Sequence, residues 1–130
     1  MGRIWSVVLV LLAGPAAAQE AGAGAEIYLR ACAACHGLDA RGAGEMAAIL
    51  TIAPPDLTRL AAGNGGVFPL ARAAARIDGR DPLLSHGGEM PVFGDWLEGE
   101  DVMMRSEAGQ PMMTSRALAD ILAFLAAIQE

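Results

Sequence analysis

The strongest pattern of apolar and polar positions lies near the C-terminal end. Leu118, Ile121, Leu122, Leu125 and Ile128 recur at intervals of three and four, the period of a helix that buries one face, and Thr114 or Ser115 stands where its N-cap belongs. Ile27, Tyr28, Ala31 and Ala34 repeat that period and predict a helix over 25–34, after a loose alanine-glycine lead-in at 21–24. Residues 45–50 suit one or two turns, which Pro54-Pro55 stops, and Asp56 is placed to cap a short helix over 57–62. Asn64-Gly65-Gly66 is a turn, Pro69 suits the first position of a helix over 70–77, and Asp78-Gly79 closes that helix. Residues 79–101 lack periodicity, and 102–105 with 110–114 flank a Ser-Glu-Ala-Gly turn as the arms of a short hairpin. The expectation is an all-α domain of small helices with a short β-hairpin before the last one.

The N-terminus has a different character. Arg3 precedes an apolar run over 4–13, then Gly14-Pro15 and the small residues Ala16-Ala17-Ala18, the layout of a secretory signal peptide with its cleavage site. A run of ten residues falls short of the ~20 that a helix needs to cross a bilayer, which argues against a membrane anchor. The expected organisation is a signal peptide over 1–18 and one domain over 19–130, exported to the periplasm, with no membrane span in the mature chain.

Composition narrows the function. All nine basic residues are arginine and fifteen are acidic, so the electrostatic footprint of a nucleic-acid binder is missing. After residue 18 the aromatic residues are Tyr28, Phe68, Phe93, Trp96 and Phe124, a thin supply of large side chains. Such a composition suits a chain that packs around something bulky and apolar that it does not encode.

Cys32-Ala33-Ala34-Cys35-His36 supplies the chemistry. Two thiols at this spacing can each add to a vinyl group of a haem, and the adjoining His36 is then placed under the iron as an axial ligand. The motif uses both cysteines of the chain. A disulfide between them would close too small a loop to stabilise much, a thioredoxin-like pair needs a βαβ setting, and zinc needs a fuller ligand set at other spacings.

The second axial position has several candidates: Met46, His86, Met90, Met103, Met104, Met112 and Met113. Met90 is favoured, because Pro91 holds it out of helical geometry and Gly87, Gly88 and Gly94 let the loop lie close against a flat macrocycle. His86 is the competitor, as a second imidazole ligand or as a titrating group at the haem edge. The tandem methionines at 103–104 and 112–113 read as hairpin packing or a lining beside the haem. Arg41, Arg72 and Arg76 are candidate partners for haem propionates, because guanidinium matches a carboxylate in bidentate fashion. Asp95, Glu98, Glu100, Asp101 and Glu107 form a candidate docking surface.

Gly24-x-x-x-Tyr28-x-x-x-Cys32-x-x-Cys35-His36, followed by Met90-Pro91 and a C-terminal amphipathic helix, resembles the class I bacterial c-type cytochromes over nearly the whole mature chain. The resemblance implies first and last helices that cross near a right angle, with Gly24, Tyr28 and Phe124 at their contact. It also implies that a proline carbonyl, here from Pro54 or Pro55, accepts the other ring N–H of His36. One departure is the stretch 94–113, longer than in small members of the family.

The expected function is one-electron transfer between redox partner proteins of a respiratory or periplasmic oxidation chain. One haem c is held covalently by Cys32 and Cys35, with His36 and Met90 as iron ligands and no enzyme activity. The alternatives are a haem c subunit of a periplasmic oxidoreductase complex and a sensor or peroxidase-like haem in which Met90 leaves the iron.

Overall fold

A computed structural model describes residues 16–80 and 90–130. Helix α1 spans Ala16–Ala31, α2 spans Ala33–His36, α3 spans Leu70–Asp78 and α4 spans Arg116–Ala127. A two-stranded antiparallel hairpin, β1 (Asp101–Arg105) and β2 (Pro111–Ser115), stands directly before α4. Short 3-10 turns occupy Ala47–Ile49, Leu57–Arg59, Ala62–Asn64 and Asp95–Leu97. The expected mainly helical architecture with its hairpin is therefore present.

Two boundaries depart from the periodicity. Helix α1 begins at Ala16 rather than at residue 25, so the alanine-glycine lead-in is helical. Alanine's high helix propensity and the packing of this segment on α4 outweigh the cost of Gly22 and Gly24. The expected cleavage point after Ala18 falls within the first turn of α1, and residues 1–15 lie outside the described residues. At the other end the helix stops at Ala31, one residue before the motif. Cys32 leaves ideal geometry and the chain tightens, with the Cys35 N–H donating to the Cys32 carbonyl at 3.1 Å.

The contact between α1 and α4 is the most extensive in the fold. Tyr28, Leu118, Ile121 and Leu122 are its fully buried large side chains. Removing each such aliphatic side chain from water is worth about 1.5–3 kcal/mol. Ser115 caps α4 by accepting the Leu118 N–H at 3.2 Å, which selects between the two expected caps. At the crossing Gly24 meets the backbone of the last helix: a Cβ there would stand 1.9 Å from the Asp120 carbonyl oxygen and 2.9 Å from Phe124 Cβ. One helical turn further on, the Tyr28 and Phe124 rings pack at 5.1 Å between centroids. The three residues singled out by the family pattern thus form one contact.

Helix α3 follows Pro69 and ends at Gly79, whose left-handed backbone (φ 82°) closes it. Its buried face carries Ala74 and Ile77. The hairpin braces its start, because the Glu107 carboxylate accepts the Ala71 N–H at 3.0 Å and is held below the usual carboxylate range by that bond. Glu107 is therefore a capping group for α3, not simply one more acid on an open surface. Strand alternation divides the tandem methionines: Met104 and Met112 pack on the core, whereas Met103 and Met113, directly opposite each other, are exposed.

Gly24→Ala tests the helix crossing through the sign of its effect. In an exposed helix this change stabilises by about 1 kcal/mol. Here it should cost about 1–3 kcal/mol in denaturant unfolding of the haem-loaded protein, because the new methyl group would overlap a backbone carbonyl. A gain in stability would contradict the crossing.

Candidate functional site

Cys32, Cys35, His36 and Met90 all line a single cavity of about 400 Å³. Tyr28 and Cys32 bring α1 to it, Ile121 and Leu125 bring α4, Ala73 and Ile77 bring α3, and Leu57 with Leu60 close another wall. Most of the lining is aliphatic, with Phe93 beside Met90 and Arg72 and Arg76 as the cationic members.

The motif is held from below by Tyr28. Its hydroxyl donates to the Gly37 carbonyl at 2.7 Å, just past the end of α2, and its ring is 1% exposed. The loop after the motif folds back on it: the Gly42 N–H donates to the His36 carbonyl at 2.7 Å and the Met46 N–H to the Ala34 carbonyl at 2.9 Å. These bonds fix where Cys35 and His36 can point. No disulfide joins the two cysteines, and burial, together with Cys35 nearby, pushes the Cys32 thiol up to about 11. Reactive thiols of dithiol oxidoreductases are shifted the opposite way, so the structure argues against a thioredoxin-like pair.

His36 is 7% exposed, and its Nδ1 is buried without a hydrogen-bond partner among the described residues. Burial lowers its pKa from the ordinary value, and the Pro55 carbonyl, within electrostatic reach of the ring, acts in the opposite sense. The proline expected near the imidazole is thus Pro55, close to the ring although the bond to Nδ1 is not closed.

Met90 is half-buried and packs against the core. The strand of loop behind it is tied to the end of α3, where the Phe93 N–H donates to the Ile77 carbonyl at 2.8 Å. Gly94 permits this approach, since a Cβ there would lie 2.7 Å from the Asp78 carbonyl oxygen. Met46, Met103, Met104, Met112 and Met113 do not line the cavity, and His86, with Gly87 and Gly88, lies outside the described residues. Arg72 and Arg76 line it as expected, but Arg41 does not: its guanidinium pairs with Glu130 at 2.5 Å and with Asp56 at 3.7 Å.

The family model for cytochrome c matches residues 21–129, a span that holds the motif, the Met90 loop and all of α4. The chain belongs to the cytochrome c family. No curated protein and no solved structure matches it. Membership in the family implies covalently bound haem c and haem-based electron transfer, and cytochromes c are usually carriers rather than enzymes. The residues of this cytochrome c fit the group: an apolar cavity lined by two thiols, an imidazole and a thioether, and an imidazole Nδ1 that has no hydrogen-bond partner among the described residues, with the Pro55 carbonyl near its ring. The wall contributed by Leu57 and Leu60 had no distinguishing signal in the sequence beyond being apolar.

Tyr28 is the single tyrosine of the chain, so its titration can be read alone. Burial, then the nearby Cys32 and Asp39, push the phenol well above its ordinary value of 10. The neutral phenol therefore contributes stability in full below about pH 10, and that contribution is lost as pH rises through the folded value. The ultraviolet phenolate signal of the haem-loaded protein should accordingly be missing at pH 10 and emerge only with alkaline unfolding. A phenolate titrating near 10 in folded protein would contradict the buried bond to Gly37.

Proposed function

We propose that this cytochrome c is a periplasmic one-electron carrier with a single haem c. In this reading, residues 1–18 are the signal peptide, Cys32 and Cys35 form the thioethers, and His36 and Met90 are the axial ligands. The observation that carries it is the convergence of those four side chains on one apolar cavity. Bound haem supplies an iron that changes between ferric and ferrous by one electron.

The protein's own residues do the rest. Burial keeps His36 neutral and so able to offer a ring nitrogen, and the Pro55 carbonyl stands ready as acceptor for the other ring N–H, which sets the tautomer. A thioether from Met90 favours the ferrous state relative to a second imidazole. Arg72 and Arg76, at the cavity, offer positive charge to the propionates. With His36 and Met90 both holding the iron, substrate would find no open coordination site, which suits a carrier rather than an enzyme.

The partners are redox proteins. Cleavage after residue 18 would leave eight arginines and fifteen acids, a charge of −7, which favours partners with basic docking faces. A second reading, a haem subunit of a larger oxidoreductase, is favoured by Trp96, Met103 and Met113, exposed large apolar residues on the long segment before α4.

The ligand assignment has a direct test. Ferric protein should show the weak near-infrared band of methionine sulfur on iron, Met90→Ala should abolish it, and carbon monoxide should leave the reduced wild-type spectrum nearly unchanged. A band that survives Met90→Ala would reassign the ligand, a wild-type spectrum altered by His86→Ala and without the band would favour two imidazoles, and rapid stoichiometric CO binding would favour a sensor or peroxidase-like haem.

A further inference from the structure

The last residues of the chain are bonded to the cavity wall. Gln129 is half-buried just beyond α4, and its amide is fully engaged. Nε2 donates to the Leu57 carbonyl at 2.8 Å and to the Leu125 carbonyl at 2.7 Å, while Oε1 accepts the Ala61 N–H at 2.8 Å. Leu57 and Leu125 both line the cavity, on different elements. One side-chain amide therefore sets the spacing between two of its walls.

Neighbouring contacts extend the grip. The Glu130 N–H donates to the Thr58 carbonyl at 2.9 Å, and its carboxylate pairs with Arg41, which also reaches Asp56. Asp56 in turn accepts the Thr58 N–H at 2.9 Å and the Thr58 hydroxyl at 2.6 Å. The ion pairs are largely exposed, and such pairs contribute little on their own. Gln129 is the member bonded to both walls. The segment it holds starts at Leu57, two residues after Pro55, which lines the cavity together with His36 and whose carbonyl is within reach of the otherwise unpartnered His36 Nδ1.

We propose that Gln129 is a positioning residue: by fixing the 57–61 wall it keeps the Pro55 carbonyl within reach of the His36 ring, as acceptor for its second ring N–H, and so sets the ferric–ferrous balance of the haem. This rests on the ligation by His36 proposed above. A carbonyl that accepts the second ring N–H makes an imidazole a more basic ligand, which favours the ferric state. Without the amide, the Leu57 carbonyl and the Ala61 N–H lose their partner, the wall relaxes toward solvent, and the carbonyl withdraws from His36.

The test uses the haem-loaded protein. Gln129→Met keeps the side-chain length and removes every polar contact. It should move the ferric–ferrous equilibrium about threefold toward ferrous, with the His/Met spectrum retained, and should speed hydrogen exchange of the Ala61 amide at least tenfold. Gln129→Glu keeps an acceptor for Ala61 but loses both donors, so it should shift the equilibrium in the same direction while Ala61 stays protected. It also supplies the answer if Gln129→Met fails to hold haem. Ser115→Ala removes the cap of α4 without touching this wall, and it should lower stability with no shift of the equilibrium.

A wild-type balance in both Gln129 variants overturns the positioning role while leaving His36 ligation standing. An equal shift in Ser115→Ala overturns it too, because the effect would then follow stability alone. A wild-type spectrum that is indifferent to His36→Ala overturns both the ligation and the positioning role.

Discussion

The crossing of α1 on α4 is the constraint on which the rest of this cytochrome c depends. It needs a residue without a Cβ at position 24, because the backbone of Asp120 occupies the space where one would be. Once the two helices approach this closely, Tyr28 is enclosed between them, and its hydroxyl can reach the Gly37 carbonyl beyond the motif. The cysteine-histidine motif is thereby fixed relative to α4, whose Ile121 and Leu125 line the same cavity. A contact between helices far apart in sequence thus sets the position of the groups that carry the chemistry.

What could be read from the sequence, and what could not, follows from the range of the interactions. The cysteine-histidine motif, the amphipathic stripe of α4, the Ser115 cap and the hairpin turn are written in residues a few positions apart, and each appears where expected. The Gly24, Tyr28 and Phe124 contact was legible only through the family pattern, since no local rule joins residue 24 to residue 124. Three features escaped the sequence for the same reason. Arg41 pairs with Glu130 across 89 positions, Gln129 reaches Leu57 across 72, and Glu107 caps α3 across 36. A polar side chain can serve any such partner, and its identity alone does not say which. The early start of α1 was missed because alanine-glycine stretches carry no apolar period, although packing makes this one helical.

The scarcity of aromatic residues also acquires a physical meaning. The core of the described residues rests on Tyr28 and on aliphatic side chains from α4, and beside it lies an apolar cavity rather than more packed side chain. A protein of this size has little stability to spare. In the proposed reading the haem completes the core, so folding and cofactor attachment support each other, and the hairpin, which braces α3 through Glu107, strengthens the support behind the Met90 loop.

Covalent attachment of one haem through Cys32 and Cys35 is the central claim, and the intact mass of the natively matured protein after extraction with acidified acetone tests it most directly. The expected result is a chain that retains its colour and carries the mass of the polypeptide plus one haem, an adduct that disappears when both cysteines are replaced by alanine. Free haem in the organic phase, or a mass equal to the polypeptide alone, would contradict it.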